Sequence, residues 1–223
     1  MAIVRFGIRP SPNPKKTKWE NGRLEMRRVK GLLSLIVAVA IVLCSCGKSI
    51  DVRKIIGTDQ MKVEPYHASF VVDENDIIQV TTYASYVFVA EVIDYDKTEY
   101  INGDANLPLT YYHVRVKENI KGSLRTDEDI VVKKAGGVRK GTDTFLICEG
   151  DVLPKPGNTY LFSAVIFEDD LYCPMPNMVI GVENSEDVSN NPFVLQFKEA
   201  CNNPTEEVPN GNQYKSKYDS GEE

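Results

Sequence analysis

Histidine is nearly missing from this chain. Of 223 residues only His67 and His113 are histidines, so the side chain most used for acid–base work near neutral pH is scarce. Neither has cysteines or a second histidine at metal-ligand spacing, which leaves zinc without support. No Gly-x-Ser-x-Gly elbow is present, and no serine sits in a nucleophile motif. The Gly136-Gly137 pair lacks the Gly-x-x-x-x-Gly-Lys pattern of a phosphate cradle. Asp94, Asp96 and Asp104 lack the twelve-residue calcium loop and its closing glutamate, and carboxylates are too plentiful for any pair to mark glycoside chemistry. Cysteine is also sparse, with five in all and no C-x-x-C. We therefore expect no catalytic residue, no metal and no cofactor. A basic excess is missing as well: the formal charge is −6, so the footprint that neutralises nucleic-acid phosphates is absent and nucleic acid is not an expected partner.

What is present, and unusual, is one long apolar run. Arg27, Arg28 and Lys30 form a positive n-region, Gly31 to Leu43 an uninterrupted apolar stretch, and Leu43-Cys44-Ser45-Cys46 ends it with a small residue before a cysteine. The run is shorter than the roughly 20 residues of a spanning helix, so a cleaved signal is expected rather than an anchor helix. The segment resembles bacterial lipoprotein signal peptides, with Leu43 and Ser45 at the lipobox positions before the cysteine. Cys44 departs from the commonest residue at its position while staying small. The resemblance implies cleavage before Cys46 and lipid attachment, such as palmitate, to it. Residues 1–25 are a polar, proline-containing pre-signal extension, and Met26 is the expected true start. The expected layout is therefore an extension over 1–25, a signal over 26–45, a lipidated tether over 46–65, a folded domain over 66–183 and an acidic tail over 184–223.

Past Cys46 the chain keeps 17 basic and 30 acidic residues, a formal charge of −13. With no polybasic patch, the lipid is the expected link to an anionic membrane, and a diacylglyceryl-type group supplies the extra chains that one acyl chain lacks. Only Cys148, Cys173 and Cys201 enter the folded part. A Cys148–Cys173 bridge is compatible with an oxidising compartment, and a buried free thiol within the strand FLIC is the alternative.

Periodicity places strands from Tyr86 onward. Tyr86 to Ile93 is apolar on both faces at its start, as in a covered strand. Thr110 to Lys117 alternates, with Tyr112, Val114 and Val116 opposite Tyr111, His113, Arg115 and Lys117. Further strands are expected over Asp129 to Lys134, Thr142 to Glu149 and Thr159 to Glu168, and as a last pair near Leu171 to Cys173 and Met178 to Val182. Asp73 is the expected cap of a short helix containing Ile77, Ile78 and Val80. Asn191 with Pro192 opens a second helix, over 192–201. The expected fold class is mainly β: a small OB-like closed barrel with one or two short helices, after a helical signal segment and before a disordered acidic tail.

The blocks YVFVAEV (86–92), TYYHVRVKENIKGSL (110–124) and PGNTYLFSAVI (156–166) carry a second resemblance. With Lys121-Gly122 and Gly157-Asn158-Thr159-Tyr160 at the turns, the stretch from about 75 to 182 is similar to netrin/tissue-inhibitor-like OB-fold domains of bacterial surface proteins. In animal inhibitors of that superfamily a free N-terminal cysteine binds the target's zinc. A lipidated Cys46, a tether and the missing bracing cysteines imply that this mechanism does not carry over. The expectation is a non-catalytic binding or interaction module, anchored by lipid to the cell membrane and facing the extracytoplasmic side. Its partner would be a protein or envelope polymer, and Tyr111, His113 and Arg115 would form the ligand surface because OB folds bind across their second and third strands. The alternative is a cell-envelope enzyme or enzyme inhibitor that uses the barrel surface.

Overall fold

The computed structural model describes residues 61–182, 188–211 and 215–220. The signal features Arg27, Arg28, Lys30, Leu43 and Ser45, the lipidation residue Cys46, the Met26 start and the tether up to residue 60 lie outside the described residues. Among the described residues no helix is long and apolar enough to cross a membrane.

The fold is mainly β, and its longest strands are the ones with the clearest apolar patterns. β2 (Tyr86–Tyr100) pairs antiparallel with β3 (Pro108–Lys121), and β3 pairs antiparallel with β4 (Ile130–Ala135). β4 lies parallel to β8 (Asp170–Cys173), β8 is antiparallel to β7 (Thr159–Phe167), and β7 returns to pair antiparallel with β2. The hydrogen bonding thus makes a circuit of five strands, and β9 (Val179–Val182) adds to β7. Four register shifts along the β2–β3 ladder mark extra residues, which bend the pair and increase its twist.

Inside the circuit Phe88, Val92, Tyr112, Val114, Ile130, Val132, Phe162 and Leu171 make one core. The Phe88 and Phe162 rings stack with centroids 5.4 Å apart. Val87, Val89 and Leu161 point the other way, beneath Val194 and Phe197 of helix α2 (Pro192–Asn202). The start of β2 and the first half of β7 are therefore covered on both faces, which is why their sequences are almost continuously apolar. As expected, α2 opens with Asn191, whose side chain accepts from Phe193 N at 2.9 Å, followed by Pro192.

The short helix α1 (Ile77–Tyr83) is capped by Asp76, not by Asp73. The Asp76 carboxylate accepts from the backbone of Ile78 and Gln79, whereas Asp73 accepts from Asn75 in the preceding turn. At the other end Lys121 Nζ donates to the carbonyls of Thr81, Thr82 and Ala84, at 2.7, 3.3 and 2.6 Å. Those orphan acceptors are what a helix terminus leaves behind. Gly122 follows at φ +82°, and a Cβ there would stand 2.4 Å from the Tyr86 ring. The Lys121-Gly122 turn therefore fixes the helix end and leaves room for an aromatic ring.

Three expectations are corrected. The tether was expected to run to residue 65, yet β1 (Lys62–Tyr66) pairs parallel with β6 (Thr144–Cys148), and β5 (Gly137–Val138) lies on the other side of β6. β1 is mostly exposed and is held by main-chain pairing and by the Arg139 guanidinium, which grips Glu64 through two bonds of 2.8 and 3.0 Å. The first long strand was expected to end at Ile93, yet β2 runs on through Asp94 and Asp96 to Tyr100. The described parts of the tail are packed, not disordered. Val208 and Tyr218 are buried, Ser216 N donates to the Tyr86 hydroxyl at 2.7 Å, and Arg125 N and Ser220 N bond the backbone at Tyr218 and Ser123. A few apolar anchors and main-chain bonds suffice where average composition predicts none.

Candidate functional site

Tyr111, His113 and Arg115 share one face of β3, and each is already engaged by a neighbour. Tyr111 is 7% exposed, against the exposed aromatic expected. Cross-strand register explains this: Lys97 of β2, Tyr111, Lys133 of β4 and Tyr172 of β8 face one another in a row. Lys97 Nζ lies 4.7 Å and Lys133 Nζ 5.2 Å from the Tyr111 ring centroid, a cation–π arrangement on both sides. The Tyr111 hydroxyl donates to Glu99 at 2.6 Å. Burial and then that bond push the phenol far above its ordinary range. Glu99 also pairs with Lys97 at 2.5 Å, and the bonds from Lys97 and Tyr111 hold its carboxyl below the usual value. His113 Nδ1 meets Asp94 at 2.6 Å, and Arg115 Nε donates to Asp129 at 2.8 Å.

The row continues into a half-buried charge cluster. Lys133 Nζ is 2.7 Å from Asp170 Oδ2, and Lys217 of the tail contacts Asp170 Oδ1. Burial alone would raise the Asp170 carboxyl, but the bonds from Lys133 and Lys217 outweigh it and hold it low. On the opposite face of β4, Lys134 pairs with Asp151 at 2.5 Å, both side chains almost completely covered.

Beyond Asp170 the character changes. Tyr83 at the end of α1, Val165 and Phe167 of β7, Tyr172 of β8, Pro174 and Pro209 of the tail line a groove of about 280 Å³. Phe167 is 42% exposed, and its ring lies 5.7 Å from that of Tyr172 at an interplanar angle of 50°. Burial pushes the Tyr172 phenol up to about 12. The tail reaches its place through Thr205 N, which donates to Thr82 Oγ1 at 3.1 Å. It passes so close at Gly211 that a Cβ would lie 2.3 Å from the Tyr83 carbonyl oxygen; only glycine can pass there. The β7–β8 turn, next to Phe167, holds Glu168 and Asp169 at φ 50° and 64°. This is the left-handed pair that a two-residue hairpin needs, without the usual glycine.

The thiols are poor nucleophiles. Cys148, Cys173 and Cys201 are free, so the two cysteines whose spacing allows a bridge are separate thiols. Cys173 Sγ is 3.5 Å from the Ser163 carbonyl, and burial pushes its thiol up to about 12 and that of Cys201 to about 11. Cys148 is raised too, chiefly by burial. Such thiols stay protonated and inert. His67 meets Glu149 at 2.7 Å on the surface. Among the described residues no three His, Cys, Asp or Glu side chains gather to hold a metal.

The sequence pointed to the Tyr111 face of β3, whose polar groups bond within the protein, while the open apolar groove lies at the other end of the same row. The signal that was available is the alternation of β7, in which Leu161, Ser163, Val165 and Phe167 point outward: α2 covers the first of them and nothing of equal size covers the last. Compared with known proteins, the chain matches no family model and no curated sequence.

Proposed function

We propose that this chain is a lipid-anchored extracytoplasmic binding module, held at the membrane through Cys46 and engaging a partner through the groove between β7, β8 and the tail. The carrying observation is the contrast around Tyr172. On one side the polar groups of Tyr111, His113 and Arg115 bond within the protein. On the other side an apolar groove stays open, with Phe167 partly exposed. Open concave apolar surface is where binding sites form.

The scaffold we propose is an OB-like closed barrel. In favour of it, five strands pair in a circuit whose order is β2-β3-β4-β8-β7 and back, with the single parallel step between β4 and β8. Binding is preferred to catalysis because the described thiols are held protonated and each histidine faces a carboxylate at the surface. Fold alone does not assign function, and the groove is what supports the binding reading.

The test uses the full lipidated chain in envelope preparations. Chemical cross-linking should capture a discrete partner with the natural chain and much less of it with Phe167→Ala. Equal capture by the two would contradict the reading. Anchoring is tested separately: Cys46→Ala should abolish incorporation of a fatty-acid probe, and retained label would remove the lipid from the account.

A further inference from the structure

Resting on the groove as the binding site, we propose that its occupant is an extended, proline-rich segment of a partner protein with lysine or arginine beside the prolines.

The groove suits a partly exposed segment better than a deeply enclosed small molecule. Such ligands occupy sites of about 300–1,000 Å³, and this groove offers about 280 Å³ in an open trough. A short stretch of extended chain fits. Strand addition is unfavourable on the floor of the groove, because β8, which carries Tyr172, is hydrogen-bonded to β4 on one side and β7 on the other. A segment that binds here must do so without a sheet ladder. Polyproline II chains have no internal hydrogen bonds and keep their backbone solvated. They are already extended when free, so they lose little entropy on docking. The surface they dock on is an aromatic-lined groove, and here Tyr83, Phe167 and Tyr172 supply rings while Pro174 and Pro209 supply rigid apolar ridges.

Charge selects what flanks the prolines. The nearby cations Lys133 and Lys217 share the one carboxylate of Asp170, and Lys133 Nζ also lies 5.9 Å from the Phe167 ring centroid. Glu168 and Asp169, next to Phe167, are exposed and have no ion-pair partner among the described residues. Lys133 and Lys217 against the carboxylates of Glu168, Asp169 and Asp170 leave a net negative charge beside Phe167, on a chain whose part beyond Cys46 is strongly acidic. A basic flank is drawn to it and an acidic flank is repelled.

The experiment is fluorescence anisotropy on the full lipidated chain in nanodiscs. Three labelled probes are used: decaproline flanked by two lysines at each end, decaproline flanked by two glutamates, and a Gly/Ser decamer flanked by lysines. The lysine-flanked decaproline should bind saturably and at least about 10-fold tighter than either control, one factor of ten being about 1.4 kcal/mol. Phe167→Ala should remove most of that binding. The double variant Glu168→Lys with Asp169→Lys should abolish the preference for lysine over glutamate flanks. Equal binding of the Gly/Ser probe, or a preference for glutamate flanks, would overturn the proposal, as would no saturable binding of the decaproline probes. If proline probes fail while Phe167-dependent capture of an envelope partner persists, only the occupant class is wrong. If that capture is also absent, the groove function itself falls.

Discussion

The β2–β3–β4 face and the β7–β8 groove lie on the same side of the sheet, share the row that runs from Lys97 to Tyr172, and differ in what they leave unsatisfied. On the first, aromatic and charged side chains alternate across strands and bond to one another. On the second, three aromatic rings and two prolines line an open trough, in which Phe167 has the Tyr172 ring at 5.7 Å and Lys133 Nζ at 5.9 Å and is still 42% exposed. Residue type alone does not separate the two, since both carry tyrosines. What separates them is whether a neighbour in the register completes each group, so an exposed-looking tyrosine on a strand pattern is a weak guide to a site.

Substitutions should split the two regions by stability. Asp151→Ala leaves Lys134 buried and unpaired and should lower unfolding free energy by about 4 kcal/mol in urea titration. Asp170→Ala does the same to Lys133 at the junction of face and groove, where partial exposure reduces the loss to about 2–3 kcal/mol. Tyr111→Phe removes the hydroxyl bond to Glu99 and should cost about 1 kcal/mol. Phe167→Ala, in the groove, should change stability by less than about 0.5 kcal/mol while removing partner capture. A large loss of stability at Phe167 with none at Asp170 would invert the comparison.

Proton linkage sharpens it further. The Asp170 carboxyl is held below its ordinary value, so its contribution is complete above the unfolded value of about 3.9 and is lost as pH falls through the lower folded value. The stability gap between the natural chain and Asp170→Ala, followed by melting temperature, should therefore close below about pH 4. Tyr172 in the groove has the opposite signature. Its phenol is raised to about 12, so its contribution is complete below the unfolded value of about 10 and fades as pH rises toward 12. Tyr172→Phe should soften the alkaline loss and leave the acid limb unchanged.

The strands were legible in the sequence because alternation reports burial directly. β3 and β7 were expected within a few residues of where they lie, and the Asn191-Pro192 cap marked α2. β2 was expected only as far as Ile93, because beyond it the strand is charged and kept in the sheet by ladder bonds and register shifts rather than by apolar pattern. β1 was missed for a related reason: it pairs with a strand some 80 residues away and buries little. Asp73 and Asp76 both fit a cap, and only the turn geometry chooses between them. The groove was the least legible feature. Its walls come from α1, β7, β8 and a tail whose composition suggests no fixed structure, and Val208 and Tyr218 hold that tail in place.

That the groove and not the β3 face meets the partner is tested most directly by site-specific photo-cross-linking in the full chain, in cells that express it. A benzophenone side chain is placed at Phe167 in one variant and at Arg115 in another, and envelopes are irradiated under identical conditions. A discrete cross-linked species is expected from position 167 and none above background from position 115. The same species from position 115, with position 167 silent, would contradict it.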